Sequence, residues 1–241
     1  SAGVVVGNSL LPGSSSYHAA SWQGTIRDLG TLGGDSSIAY DISEKGTIAG
    51  YGEMPDGKSR AVLWSGGGAV DLGTHTWASS AAIGINNSGQ VVGYGFDSGG
   101  DYHAILWNGT TSTALGTLGG AYSSAVAIND AGTAVGYAYT LQANRHAVYW
   151  NGTTAVDLGT LGGTDSWANG INGAGDVVGY SLISGNAAYH AALWRSGAIA
   201  DLGTLGGSSS FAWAINSGGQ IVGARATART VARHATLWQA G

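Results

Sequence analysis

The chain is 241 residues long, with 44 glycines, 2 prolines, no cysteine and a net charge of −5 that includes only nine Lys plus Arg. A hydrophobic fraction of 44% excludes disorder, and without Gly-X-Y phasing or proline the glycine is not collagen-like. There is no basic footprint for nucleic acid, no thiol for a disulfide or thiolate metal site, and no apolar run near the roughly 18 residues of a membrane span.

Read in chain order, the same short phrases return. Val4–Gly7 is followed by His18–Trp22 and then by Asp28-Leu-Gly-Thr-Leu-Gly-Gly34. The next copy begins at Ser37 with a Ser-x-Ala-x-x-Ile phrase, turns at Ser43–Gly46, and continues through Arg60–Trp64, where Arg replaces the His of His-Ala-x-x-Trp. That last phrase recurs at His103–Trp107, His146–Trp150, His190–Trp194 and His234–Trp238, so the tryptophans fall every 42 to 44 residues. Self-similarity at this period marks one supersecondary unit copied in tandem. Each phrase is rich in Val, Ile, Leu and Trp and bounded by Gly, Asn or Ser, which predicts short strands and almost no helix. Asn-x-x-Gly at 86–89, 129–132, 172–175 and 216–219 predicts tight hairpins, because Asn can bond its own backbone and Gly accepts positive φ. Asn108-Gly109 and Asn151-Gly152 predict a second hairpin after the tryptophan.

Four short antiparallel strands in about 43 residues predict an all-β fold, a single β-propeller domain over 1–241 built of four-stranded blades. A sandwich or solenoid is the alternative. The ends do not hold whole units: the Val-Val-Gly and His-Ala phrases occur six times, the Asp-Leu-Gly and Ser-x-Ala phrases five. Six blades is the favoured count. Five blades would leave residues 1–22 surplus, and either arrangement exposes strand edge at an incomplete seam that could pair with another copy.

The phrases Asp-Leu-Gly-Thr-Leu-Gly-Gly, Ile-Asn-x-x-Gly-x-Val-Val-Gly and His-Ala-x-x-Trp resemble the HAF-type extracellular repeats of bacteria over essentially the whole chain. The third position of the last phrase departs from that family's usual aromatic, carrying Ala20, Val62, Ile105, Val148, Ala192 and Thr236. The resemblance implies an exported protein and supplies no defined activity. The chain opens at Ser1 and has its only Met at Met54, which reads as a piece processed or excised from a longer precursor.

Five equivalent histidines distributed over five copies do not converge on one ion or one reacting atom, so metal ligation and general-base roles are disfavoured. His18, His146 and His190 are followed ten or eleven residues later by Asp28, Asp157 and Asp201, which predicts structural His–Asp bonds across a hairpin; Arg60 pairs with Asp71, and His103 faces Ala114. Trp22, Trp64, Trp107, Trp150, Trp194 and Trp238 keep the phase of the repeat and read as packing between blades. Trp77, Trp167 and Trp213 occur in only some copies, with Tyr40 and Phe211 in the same neighbourhood, so they are the candidates for ligand contact. Asp35 and Asp165 follow the double glycine and read as loop caps that could also line one end. Arg225, Arg229 and Arg233 read as a solvated loop, and His75 lies in an odd segment. No residue set calls for a metal or other cofactor.

Three functions fit. The favoured one is a secreted, non-enzymatic binding or adhesion module for glycans or a cell-surface polymer. The others are a self-assembling subunit of an extracellular filament or surface layer, and a polysaccharide-processing enzyme, which would need two converging carboxylates.

Overall fold

The computed structural model describes residues 3–66, 68–73, 77–204, 206–227 and 230–239. His75 and Arg229 lie outside the described residues. The chain divides into two compact units, Ser1–Ala114 and Leu115–Gly241, with three antiparallel sheets in each.

In the first unit, β1 (Val5–Leu10), β2 (Tyr17–Gln23) and β3 (Thr25–Gly30) form one sheet. The second comprises β4 (Ser37–Ile42), β5 (Ile48–Glu53), β6 (Ser59–Ser65) and β7 (Gly68–Asp71). The third comprises β8 (Ser79–Ile85), β9 (Gln90–Phe96), β10 (Tyr102–Asn108) and β11 (Thr111–Ala114). In the second unit, β12 (Gly119–Ile128), β13 (Ala134–Thr140), β14 (Arg145–Asn151) and β15 (Thr154–Asp157) form the fourth sheet. The fifth holds β16 (Gly162–Ile171), β17 (Val177–Ile183), β18 (Tyr189–Arg195) and β19 (Ala198–Asp201). The sixth holds β20 (Ser210–Ile215), β21 (Gln220–Thr227) and β22 (Thr230–Gln239). Strands pair in sequence order, and a 3-10 turn at Ser184–Asn186 is the helical element among the described residues. The segment that a five-blade count would leave over is not surplus where it is described: β1 and β2 pair with β3 as a sheet of their own, from Val5 opposite Trp22 to Leu10 opposite Tyr17.

The Asn turns close as hairpins. Gly89, Gly132, Gly175 and Gly219 donate back to the carbonyls of Asn86, Asn129, Asn172 and Asn216 at 3.0–3.1 Å. The Asp-Leu-Gly phrase, in contrast, mostly ends a strand instead of forming one. β7, β15 and β19 stop at the Asp, because the Asp carboxylate accepts the N–H of the Gly two residues on (Asp71–Gly73, Asp157–Gly159, Asp201–Gly203, 2.7–2.8 Å) and bends the chain away.

That early departure leaves a backbone group to satisfy. In the fourth sheet Leu158 still donates to the Ala147 carbonyl at 2.9 Å, but the chain then turns at Gly159, and the Ala147 N–H has no neighbouring strand to meet. Ser166 of the next sheet fills the gap. Its Oγ accepts the Ala147 N–H at 2.8 Å and donates to the Gly159 carbonyl at 2.8 Å. Ser37 does the same for Ala19 and Gly30 (2.8 and 2.7 Å), and Ser210 for Ala191 and Gly203 (2.9 and 2.7 Å); Ser80 accepts from Ala61 at 3.0 Å. All four serines and all four alanines are buried. Inside a protein, a hydroxyl that accepts one bond and donates another costs little to bury.

Within each unit, the third-strand tryptophans pack a sheet on the one before it. Trp64 lies against Ala19, Val6 and Leu29; Trp107 against Ala49, Ala61 and Leu72; Trp194 against Val135 and Ala147; and Trp238 against Val178, Ala191 and Leu193. Trp150 is buried and donates its indole N–H to the Gly116 carbonyl at 2.9 Å, whereas Trp22 is half-buried. Burying such a side chain contributes on the order of 4 kcal/mol, as an upper figure.

The first strand of each sheet from the second to the sixth carries a β-bulge at the same place, between Ala39 and Asp41, Ala82 and Gly84, Ala125 and Ala127, Ala168 and Gly170, and Ala212 and Ala214. The extra residue throws the preceding carbonyl toward the second strand. A Cβ at Gly50, Gly93, Gly136, Gly179 or Gly223 would overlap that oxygen, which is why the Val-Val-Gly phrase ends in glycine. The bulge also re-aims the extra side chain, and Tyr40 and Trp213 occupy this position.

Candidate functional site: an aromatic cluster in the second unit

The recurring histidines are held at the hairpin. His18 Nδ1 lies 3.0 Å from both Asp28 oxygens, His146 Nδ1 2.7 Å from Asp157 Oδ2, and His190 Nδ1 2.8 Å from Asp201 Oδ2. Arg60 Nη1 stands 3.4 Å from Asp71. His103 differs from the expected pairing: its Nε2 is 3.5 Å from Asp97, and its ring lies 5.5 Å from Trp77. Among the described residues no group of three or more His, Asp or Glu side chains could hold a metal ion, and no helix is long and apolar enough to cross a membrane.

The aromatic candidates behave differently from one another. Trp77 is half-buried, packed against the first unit's core and His103. Trp167 and Trp213 come together in the second unit around Tyr180. Trp167 pairs with Tyr180 across β16 and β17, with ring centroids 5.0 Å apart and nearly stacked at 26°. From the next sheet, Phe211 meets Tyr180 edge-on at 5.0 Å and Trp213 lies 6.1 Å away; Tyr189 adds a ring 5.5 Å from Tyr180. Phe211 and Trp213 are parallel within 10°, and Trp213, at the bulge, is 45% exposed.

Two guanidinium groups sit on this surface. Arg145 lies 3.6 Å from the Trp167 ring centroid and 5.7 Å from that of Tyr139, and Arg233 lies 4.9 Å from that of Phe211. Arg225 and Arg233 therefore stand on β21 and β22 and not on a solvated loop, because the hairpin strands extend far enough to pair Arg225 with His234 and Ala226 with Arg233. Asp165 is likewise inside β16 and does not cap a loop; it accepts the Arg145 N–H at 3.0 Å and the Thr164 hydroxyl at 2.6 Å. Burial pushes the Tyr180 phenol up to about 12, against the pull of Arg145 and Arg233, so Tyr180 presents a neutral hydroxyl across the physiological range.

The first unit has an aromatic cleft of its own, of about 380 Å³, lined by Tyr40, Tyr51, Tyr94, Phe96 and Ser59. Tyr40 is 44% exposed, and burial together with Tyr94 and Tyr51 pushes its phenol up to about 12. Burial and the nearby Glu53 raise Tyr51 as well. Asp35 is exposed on the turn ahead of β4. A further cleft of about 360 Å³, between the fourth and fifth sheets, is lined by Tyr149, Ile171, Val177 and Trp194; its Arg195 is already bound to Asp176 at 2.9 Å.

Sequence reasoning missed Tyr180 and its counterparts. Tyr51, Tyr94, Tyr137 and Tyr180 follow the glycine of the second-strand phrase in four copies, and constancy made them look like framework. Copies that lack the Tyr, with Asn8 or Ala224 there, were the available signal.

No protein-family model matches the chain, and no curated protein matches it. Among solved structures, a puromycin-hydrolyzing peptidase of Mycobacterium tuberculosis matches with a TM-score of 0.52 at 11% identity, over 96% of this chain and 44% of that one, so this chain spans less than half its length. A fucose-specific lectin from Aleuria aurantia matches at 0.46 and 14%, over 92% of this chain and 83% of the lectin. The β-propeller domain of the trilobed protease from Pyrococcus furiosus matches at 0.41 and 11%, over 98% and 91%. The first of these is a likeness of fold alone. The protein is all-β, of the β-propeller class, with six antiparallel blades.

The His146–Asp157 bond gives a pH signature. The hydrogen bond that His146 donates to the Asp157 carboxylate raises the imidazole above its ordinary 6.5, despite burial. Burial pushes Asp157 up, but the bonds from His146 and Gly159 outweigh it and hold the carboxyl below 3.8. A raised His stabilises below its unfolded value and loses this as pH climbs through the folded one; a lowered Asp stabilises above its unfolded value and loses this as pH falls. The charged pair thus contributes fully between about pH 4 and 6.5, by about 0.5–1 kcal/mol given its partial exposure. Melting of the wild type against His146→Gln from acid to alkaline pH is expected to differ most inside that window, and a flat difference would count against the pair.

Proposed function

We propose that this protein is an extracellular carbohydrate-binding propeller whose second unit engages saccharides on the cluster of Trp167, Tyr180, Tyr189, Phe211 and Trp213. The observation that carries the reading is the convergence of five rings, one of them an exposed tryptophan set on a bulge. A sugar presents an apolar C–H face to a π surface and hydroxyls at its rim; the cluster offers that face, with Tyr hydroxyls beside it. Exposed aromatics held by their neighbours lose little conformational entropy on binding, which suits recognition more than packing. The low charge of the chain and its resemblance to extracellular repeats support secretion and an adhesive role. A glycan array followed by calorimetric titration tests the reading: a saccharide ligand is expected, and Trp213→Ala is expected to weaken it about tenfold or more without changing the fold. A wild type that binds no glycan contradicts it.

Self-assembly is a second reading with its own observation. Val178 and Leu193 of the fifth sheet are buried beneath the sixth, whereas their counterparts Val222 and Leu237 are 48% and 62% exposed. A second copy of the chain fits this face. Light scattering is expected to show mass rising with concentration in the wild type and not in Leu237→Lys; a monomer at every concentration removes the reading.

A further inference from the structure

We infer that the aromatic cluster of the second unit selects anionic saccharides, those bearing carboxylates or sulfates, through Arg145 and Arg233. This rests on the carbohydrate-binding reading above and narrows it to a charge class.

The two aromatic sites provide the contrast. The first unit's cleft brings tyrosines together with serines and lies near Glu53. The second unit's cluster carries two of the nine cationic residues of a chain whose net charge is −5, so positive charge stands there against the background. A guanidinium held over an aromatic ring still has N–H donors to offer a planar or tetrahedral anion. Asp165 does not consume that capacity in Arg145: its side chain is 4.0 Å from Nε and is already engaged by the Arg145 backbone N–H and the Thr164 hydroxyl. Arg233 is exposed and has no carboxylate partner among the described residues. Both guanidiniums act electrostatically on the Tyr180 phenol, and the rings they lie over, Trp167 and Phe211, are each 5.0 Å from Tyr180. A sugar lying on the exposed Trp213, beside the half-buried Phe211, therefore has a cation next to it. A neutral sugar would need neither arginine.

The test uses two matched pairs of probes, oligogalacturonate against its methyl ester and dextran sulfate against dextran oligosaccharides, titrated into the wild type, Trp213→Ala, Arg233→Gln and the Arg145→Gln/Arg233→Gln double variant. An acidic probe is expected to bind about tenfold or more tighter than its neutral twin, with the advantage shrinking as salt is raised. The double variant is expected to lose that advantage while keeping any neutral binding, and Trp213→Ala to weaken both. Arg233 is exposed, so Arg233→Gln alone carries the test if the double variant fails to fold, and half or more of the advantage is expected to go with it. Equal binding of acidic and neutral members by the wild type overturns the charge selectivity and leaves the carbohydrate reading standing. A wild type that binds none of the four overturns both. A folded variant that keeps the full preference overturns the assignment to these arginines, and tighter binding of an oligothymidylate than of either acidic saccharide replaces the saccharide with a nucleic acid.

Discussion

Within each unit, a serine hydroxyl buried between neighbouring sheets accepts an alanine N–H from the sheet before it and, in three of the four cases described, donates to that sheet's turn glycine. The need for it arises from the glycine turn. Where the last strand ends at its Asp, as in the second, fourth and fifth sheets, the third-strand alanine loses the carbonyl that a longer ladder would supply, and an unmet buried N–H costs about 1–3 kcal/mol. The repeated phrases then read as one circuit. His anchors the Asp, the Asp carboxylate bends the glycine turn, the turn frees the Ala N–H, and the serine of the next sheet takes it up. The tryptophan three residues after that alanine supplies the apolar part of the same contact.

The surface available for recognition follows from a second constraint, the bulge in the first strand of the second to sixth sheets. One extra residue forces the glycine of the facing strand and points a side chain away from the ladder. In the third, fourth and fifth sheets that residue is Ile83, Val126 or Asn169; in the second and sixth it is Tyr40 or Trp213. The scaffold thus offers the same position in the second to sixth sheets, and the sequence varies what stands there. The proposed site also draws on Trp167 and Phe211, which vary between copies at the residue after the buried serine, and on Arg145 and Arg233, which stand where other copies carry Tyr or Ser.

Much of this was legible in the residues. Short phrases bounded by Gly and Asn determine strands and hairpins locally, so the sheets, their order and the three-stranded first and last sheets could be counted from the Val-Val-Gly and Asp-Leu-Gly phrases. Trp167 and Trp213 stood out because they vary between copies. What was not legible depends on contacts between sheets. The serine at 37, 80, 166 and 210 recurs as regularly as the histidine, yet its role needs a partner from another copy. Tyr180 was hidden by its own repetition, and Arg233 by a cluster of charges that looked like a loop, because neither residue's neighbours across the sheets are near it in the chain. Asp165 looked like a cap because the double glycine before it, a bend or turn at Gly33-Gly34 and Gly206-Gly207, opens a strand here as it does at Gly119-Gly120.

The serine account is tested most directly by amide hydrogen exchange at Ala147 and Ala191 in the wild type and in Ser166→Ala. Both amides should be protected to near the global limit in the wild type. In the variant, Ala147 should lose protection while Ala191, held by Ser210, keeps it, and the protein should be destabilised by about 1–3 kcal/mol in urea. Unchanged protection at Ala147, with unchanged stability, would contradict the account.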